Sequence, residues 1–130
     1  MNVKGRRTPA TVDIGSHARR VDPMRVKVAR IRDVMGSSAR LAAFLNVARS
    51  QPGRWIQGVE HPNPAAARRI KDFEYVWDRA SDEMHLDVAR IWLESPNAHL
   101  GGATPLAVLE TRGPAEVIAA LDAEAAGSFA

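Results

Sequence analysis

The segment Ala89-Arg90-Ile91-Trp92-Leu93-Glu94-Ser95-Pro96-Asn97-Ala98-His99-Leu100-Gly101-Gly102-Ala103-Thr104-Pro105-Leu106-Ala107-Val108-Leu109 restricts this chain more than any other part of it. An apolar helical stretch ends at Pro96-Asn97, a pair that turns the chain. Gly101-Gly102 supplies a corner where backbone angles unfavourable to other residues cost little. Thr104-Pro105 then opens a new helix, with Thr as N-cap and Pro in the first helical position. Two helices must therefore meet at a fixed bend, which rules out one long helix here. In isolation the glycines could be a helix end and the Pro-Asn pair a turn, with Trp92 packed beneath the bend.

The length of 130 residues suits one domain, or one small domain with an appended module. A chain of this size buries roughly two-thirds of its unfolded surface. With three Trp, three Phe and one Tyr, its core must rest on Ala, Leu and Val. The absence of cysteine excludes disulfides and thiolate metal sites and suits a reducing cytoplasm. No apolar run approaches the roughly 18 residues of a membrane span, and no apolar stretch follows the basic N-terminus as in a secretory signal. The expectation is a cytoplasmic protein without membrane contact.

The net charge of +3 conceals a division. Residues 1–58 carry 12 Lys or Arg against 3 Asp, a balance of +9; residues 59–130 carry 6 against 12 Asp or Glu, a balance of −6. A polyanion would meet the first half and be repelled by the second. Within residues 1–22, Gly5, Pro9 and Gly15 interrupt any apolar period, while Lys4, Arg6, Arg7, Arg19 and Arg20 supply charge. This reads as a flexible basic arm, either a phosphate-contacting tail or a terminus without function.

Asp22-Pro23 is a helix start, and Met24, Val28, Ile31 and Met35 recur on one face. The alternation Met24, Val26, Val28 would also suit a short strand, but the length of the pattern favours a helix. Gly36-Ser37-Ser38 ends this helix and caps the next, which buries Leu41, Ala42 and Leu45. Asn46-Val47-Ala48 turns the chain, with Val47 plugging the corner. A helix over 49–57 comes next, with Trp55 inward and Gly58 as its stop. Two short helices about a tight turn, the second polar and basic at its N-terminal end, fit a helix-turn-helix. Its second helix must offer side chains to base edges in the major groove, here Arg49, Ser50, Gln51 and Arg54. Pro52 and Gly53 oppose a helix beginning at Arg49, since Pro near the fourth position removes a backbone bond and Gly costs about 1 kcal/mol relative to Ala.

Pro62-Asn63-Pro64 separates this module from a long helix over about 65–80, where Ala66, Ile70, Phe73, Trp77 and Ala80 share one face. That face is either a core stripe joining two modules or a dimer seam. Ser81 is expected to cap the next helix, with Asp82 and Glu83 at its positive end and Met84, Val88, Ile91 and Trp92 inward. After the glycine corner, Leu106 and Leu109 point inward. Gly113-Pro114 breaks the chain, and a last helix over 115–126 buries Val117, Ile118, Leu121 and Ala125. No strand pattern and no repeat appears. The fold class is all-α: a basic arm (1–22), a helix-turn-helix module (23–62), a connecting helix (63–80) and a small helical domain with a tail (81–130).

Nothing in the chain points to catalysis. There is no phosphate-binding glycine loop and no nucleophile elbow, and His17, His61, His85 and His99 lack metal-ligand spacing. No cofactor, metal or enzymatic activity is expected.

The series Trp92-Leu93-x-x-Pro96-Asn97-x-x-Leu100-Gly101-Gly102-x-Thr104-Pro105-Leu106, with an ending Gly127-Ser128-Phe129-Ala130, resembles the C-terminal toxin-binding domain of the Xre/MbcA/ParS-type antitoxins. The likeness runs from about Asp87 to Leu121. Upstream, Ala42, Leu45, Val47, Arg49, Ser50, Arg54, Trp55 and Gly58 resemble the helix-turn-helix of the Xre family in its order, although Pro52 and Gly53 depart from its usual apolar and polar pair. The resemblance implies an antitoxin of a type II toxin–antitoxin system. Its partner would be a RES-domain toxin that consumes NAD by phosphorolysis or hydrolysis. Trp92, Pro96, Asn97, Leu100, Gly101, Gly102, Thr104, Pro105 and Leu106 would shape the docking domain, and Gly127, Ser128 and Phe129 would approach and obstruct the toxin's NAD pocket. The resemblance also implies a homodimer within a larger complex, autorepressing its operon by binding operator DNA. The alternative is a helix-turn-helix regulator without a toxin, whose C-terminal helices serve dimerisation.

Overall fold

The computed structural model describes residues 23–127, and these residues form seven α-helices, one 3₁₀ turn and no strand. Helix α1 spans Pro23–Met35, α2 Ser38–Leu45 and α3 Gln51–Gln57. The central helix α4 runs Pro64–Glu83, and α5 covers Leu86–Leu93. A 3₁₀ turn at Ala98–Leu100 leads to α6, Pro105–Arg112, and α7, Ala115–Gly127. The arm expected over residues 1–22, and with it Asp22 as a cap, lies outside the described residues.

Local chemistry sets most boundaries. The Ser37 side chain accepts from the Arg40 N–H at 3.1 Å, satisfying a donor that a helix start leaves open. Asn63 does the same for Ala66 at 2.8 Å, with Pro64 in the first turn. At the end of α3, Gly58 adopts φ 79°. The Arg25 guanidinium lies against it, 3.2 Å from where a Cβ would stand, and its Nε donates to the Ile56 carbonyl at 2.8 Å. Gly58 thus answers both a left-handed turn and a close approach.

Helix α4 is the spine. Ala66, Ile70, Phe73, Val76, Trp77 and Ala80 are buried along it, on the 3.6-residue period expected of a core stripe. Phe73 meets Phe44 edge-on at 5.7 Å between ring centroids and stacks with Trp77 at 6.3 Å, both favourable aromatic arrangements. One apolar cluster runs from Val28 and Ile31 through Leu41 and Trp55 to Val108, Val117 and Leu121, so the core is continuous from α1 to α7. Ion pairs fasten its outside: Lys27 and Arg30 to Glu74, Arg30 to Asp78, Arg40 to Glu94, and Arg79 to Asp122.

Three local expectations are corrected. The helix expected over 49–57 begins at Gln51, because Arg49 and Ser50 belong to the preceding turn. Pro52 then falls in the first turn, where its missing N–H has no intrahelical partner to lose. Ser81 does not cap α5. It lies inside α4, its hydroxyl donating to the Trp77 carbonyl at 2.7 Å, and the cap is His85, whose Nδ1 faces the Asp87 N–H at 3.4 Å. Asp82 and Glu83 accordingly sit at the negative end of α4 instead of the positive end of α5. Third, α5 is rotated from the expected face: Ala89, Trp92 and Leu93 are buried, while Val88 is 52% and Ile91 67% exposed.

Candidate functional site

The corner after α5 is a closed hydrogen-bonded unit centred on Asn97. Its N–H donates to the Ala103 carbonyl at 3.0 Å, and its side-chain oxygen accepts from the His99 N–H at 2.9 Å. Its own carbonyl accepts from the N–H groups of Leu100 (3.0 Å) and Gly102 (2.9 Å). Asn97 is the one buried polar residue among those described, and these bonds explain why it tolerates burial. Gly101 (φ 67°) and Gly102 (φ 90°) carry the chain through the left-handed region. Leu100 inserts into the core, and Thr104 accepts from the Ala107 N–H at 3.1 Å to start α6 on the buried Pro105.

This geometry divides the docking residues expected from the sequence. Trp92, Asn97, Leu100 and Pro105 are buried, and Thr104 and Leu106 are partly covered, Leu106 packing on the core. Pro96, Gly101 and Gly102 are exposed on the corner's outer surface, and Gly127 closes α7. Ser128 and Phe129 lie outside the described residues. The motif therefore builds a bracket, and most of its side chains face inward.

Beside the bracket runs a groove between α5 and the C-terminal end of α7. One part, a cleft of about 410 Å³, is walled by Val88, Ile91 and Trp92 and by the 95–99 turn, with Glu124 opposite. It adjoins a second cleft of about 250 Å³ that adds Glu83, Met84 and Ala125. The indole Nε1 of Trp92 is buried there without a hydrogen-bond partner. Sequence reasoning missed this groove because it turned Val88 and Ile91 inward. The available signal was density: Leu86, Val88, Ala89, Ile91, Trp92 and Leu93 make six of the eight residues of α5 apolar, more than one buried face requires.

At the other end of the molecule, α2 and α3 enclose the turn expected of a helix-turn-helix. Arg49 and Ser50 are exposed on it, Gln51 is half-buried and Arg54 is exposed at mid-helix. Arg54 is already paired, its Nε 3.1 Å from Glu60. Arg25, Lys27, Arg30, Arg32 and Arg40 are likewise engaged, by a carbonyl in one case and carboxylates in the others. Among the described residues of the basic half, Arg49 alone has no such partner. Much of the positive charge counted in the sequence is thus bound up in holding the helices together. Elsewhere, the hydrogen bond from Arg79 to Asp122 raises the guanidinium's pKa above its ordinary value, a tie between α4 and α7. Among the described residues there is no group of three or more His, Cys, Asp or Glu able to hold a metal ion, and no helix long and apolar enough to cross a membrane.

Residues 85–127, which hold the capped double-glycine corner, match the family model described as the antitoxin Xre/MbcA/ParS C-terminal toxin-binding domain. The match begins at His85, the cap of α5, and covers about a third of the chain. Among solved structures, the chain is similar to one in the crystal structure of the M. tuberculosis MbcT–MbcA toxin–antitoxin complex, with a TM-score of 0.69 and 23% identity over 85% of this chain and 100% of that one. That likeness establishes a common fold. A search of curated proteins finds no match.

Proposed function

We propose that this protein is the antitoxin of a type II toxin–antitoxin system, a cytoplasmic binding protein without catalysis of its own. Its partner is a RES-domain toxin that degrades NAD, and its C-terminal end obstructs the toxin's NAD pocket. The observation that carries this reading is the toxin-binding domain match over residues 85–127, on a segment whose motif folds as an intact bracket. Trp92, Pro96, Asn97, Leu100, Gly101, Gly102, Thr104, Pro105 and Leu106 shape this docking domain, and the Gly127–Phe129 end approaches the toxin's pocket. Exclusion of substrate is steric and needs no cofactor, only a well-packed interface around an anchoring side chain.

Residues 23–62 supply the second part of the reading, a helix-turn-helix that binds operator DNA as a homodimer and represses the chain's own operon. Its support is the free Arg49 on the turn before α3. Co-expression with the product of the adjacent reading frame, expected to be a RES-domain protein, tests the whole. The full chain should preserve cellular NAD and growth, and deletion of residues 127–130 should release toxicity. Equal protection by the truncated and full chains would refute pocket obstruction. Failure of the full chain to bind or protect would refute the antitoxin reading, leaving a DNA-binding regulator whose C-terminal helices dimerise.

A further inference from the structure

Two helix C-termini converge on the groove beside the bracket, and each carries an unneutralised acid. Glu83 closes α4 and Glu124 lies in the last turn of α7, and neither helix has a basic residue in its last turn. Both carboxylates line the same cleft, and neither makes an ion pair among the described residues. The end of a helix already bears about half a negative charge, so a carboxylate there is placed against the local field. Between them the wall is apolar: Val88 and Ile91 stand 52% and 67% exposed, flanking Trp92. An aliphatic surface with two like charges at its edge is costly to leave facing water and suits a ligand of matching chemistry.

Resting on the antitoxin reading, we infer that this groove is the principal docking surface for the toxin. Its occupant is an apolar segment of the toxin bearing a lysine or arginine. The aliphatic part covers Val88 and Ile91, and the cation lies between Glu83 and Glu124. Two observations favour the toxin over a second copy of this chain. The groove reaches the C-terminal end of α7, where the chain's proposed plug departs, so both contacts form one continuous interface. The wall formed by Val88, Ile91, Trp92 and Glu124 also lies within residues 85–127, the segment matched to a toxin-binding domain.

The test measures affinity of the full-length chain for the purified RES-domain protein of the adjacent reading frame, by calorimetry at low and high salt, with thermal unfolding of each free variant. Ile91→Asp should weaken binding at least about 100-fold, the scale of a central anchor, without unfolding an exposed position. Glu83→Gln and Glu124→Gln should each weaken it about 3- to 10-fold at low salt and less at high salt. The same two changes should leave the free chain's Tm equal or raise it, because each removes a charge from a helix end of the same sign. Leu86→Asp, at an exposed position on the opposite flank of α5, should bind within two-fold of the parent. If the parent binds and Ile91→Asp binds equally well, the groove assignment falls while the antitoxin reading stands. A change that dissolves a self-association of the chain without altering toxin affinity would likewise overturn it, in favour of a second copy. A parent chain with no affinity for the toxin would remove both the groove assignment and the reading beneath it.

Discussion

Gly101 is where the bracket can be probed most directly. At φ 67° and ψ 25° the residue sits in the left-handed region, and a Cβ built there meets nothing within 4 Å. Gly101→Ala therefore carries no steric collision, only the conformational cost of a left-handed residue, roughly 1–2 kcal/mol. Stiffening of the unfolded chain offsets a few tenths of this. A net loss of about 1 kcal/mol should lower Tm by roughly 3–6 °C in a domain of this size. Gly101→Asn should cost less than Ala, because Asn enters this region more readily. With a typical stability of at least about 5 kcal/mol, either variant remains more than about 99% folded at 25 °C. Toxin affinity should then shift less than two-fold. Thermal unfolding and calorimetric binding on the same samples check both halves. A ten-fold loss of affinity with an unchanged Tm would refute the reasoning, since it would place Gly101 in direct contact with the partner.

Ile70→Ala, at a fully buried position on the spine, should destabilise by about 2–5 kcal/mol in urea unfolding, because a cavity opens where α4 meets its neighbours. Ser37→Ala removes the side-chain acceptor for the Arg40 N–H and should cost about 1 kcal/mol in the same assay. On the DNA side, Arg49→Ala should weaken operator binding and lower the salt slope by about 0.9, the share of a single neutralised phosphate. Glu60→Gln should strengthen binding by releasing Arg54 from its ion pair; gel-shift titrations at several salt concentrations check both.

The helices were largely legible because their signals are local. Ser37, Asn63 and Thr104 accept the N–H bonds expected of caps, and the stripe from Ala66 to Ala80 is buried as its period requires. The errors have a common physical origin. Ser81 suits a cap in composition, yet continuing α4 for three more residues buries Ala80 and leaves the Ser81 hydroxyl satisfied by the Trp77 carbonyl. That extension makes Met84 the C-cap of α4 and starts α5 only at Leu86, so the expected stripe of Met84, Val88 and Ile91 is broken. Helix α5 instead buries Ala89, Trp92 and Leu93, and Val88 and Ile91 face outward. The charge count failed in a different way. A net charge records how many cations exist, and only the fold shows that Lys27, Arg30, Arg40 and Arg54 of the basic half are held by Glu74, Asp78, Glu94 and Glu60.

On the proposed reading, recognition by family pattern and recognition by partner fall on different residues. The pattern Trp-Leu-x-x-Pro-Asn-x-x-Leu-Gly-Gly is consumed by the bracket, whose Asn97 bonds and left-handed glycines fix the bend between α5 and α6. Substituting its buried members disturbs the fold before it disturbs an interface. The groove lies one step further out: Val88 and Ile91 are exposed, and Glu83 and Glu124 hold no partner of their own among the described residues. Exposed positions of this kind tolerate substitution within about 0.5 kcal/mol of folding stability, whereas an anchor or a charge at an interface changes affinity by far more. On the proposed reading, one rigid corner serves many toxin specificities, because the residues that set the shape are not those that would choose the partner. Exchanging Val88, Ile91, Glu83 and Glu124 for the set at the same positions of another antitoxin of this fold should redirect binding toward that antitoxin's toxin, with Tm shifted by only a few degrees. Transfer of the buried motif residues alone should redirect nothing.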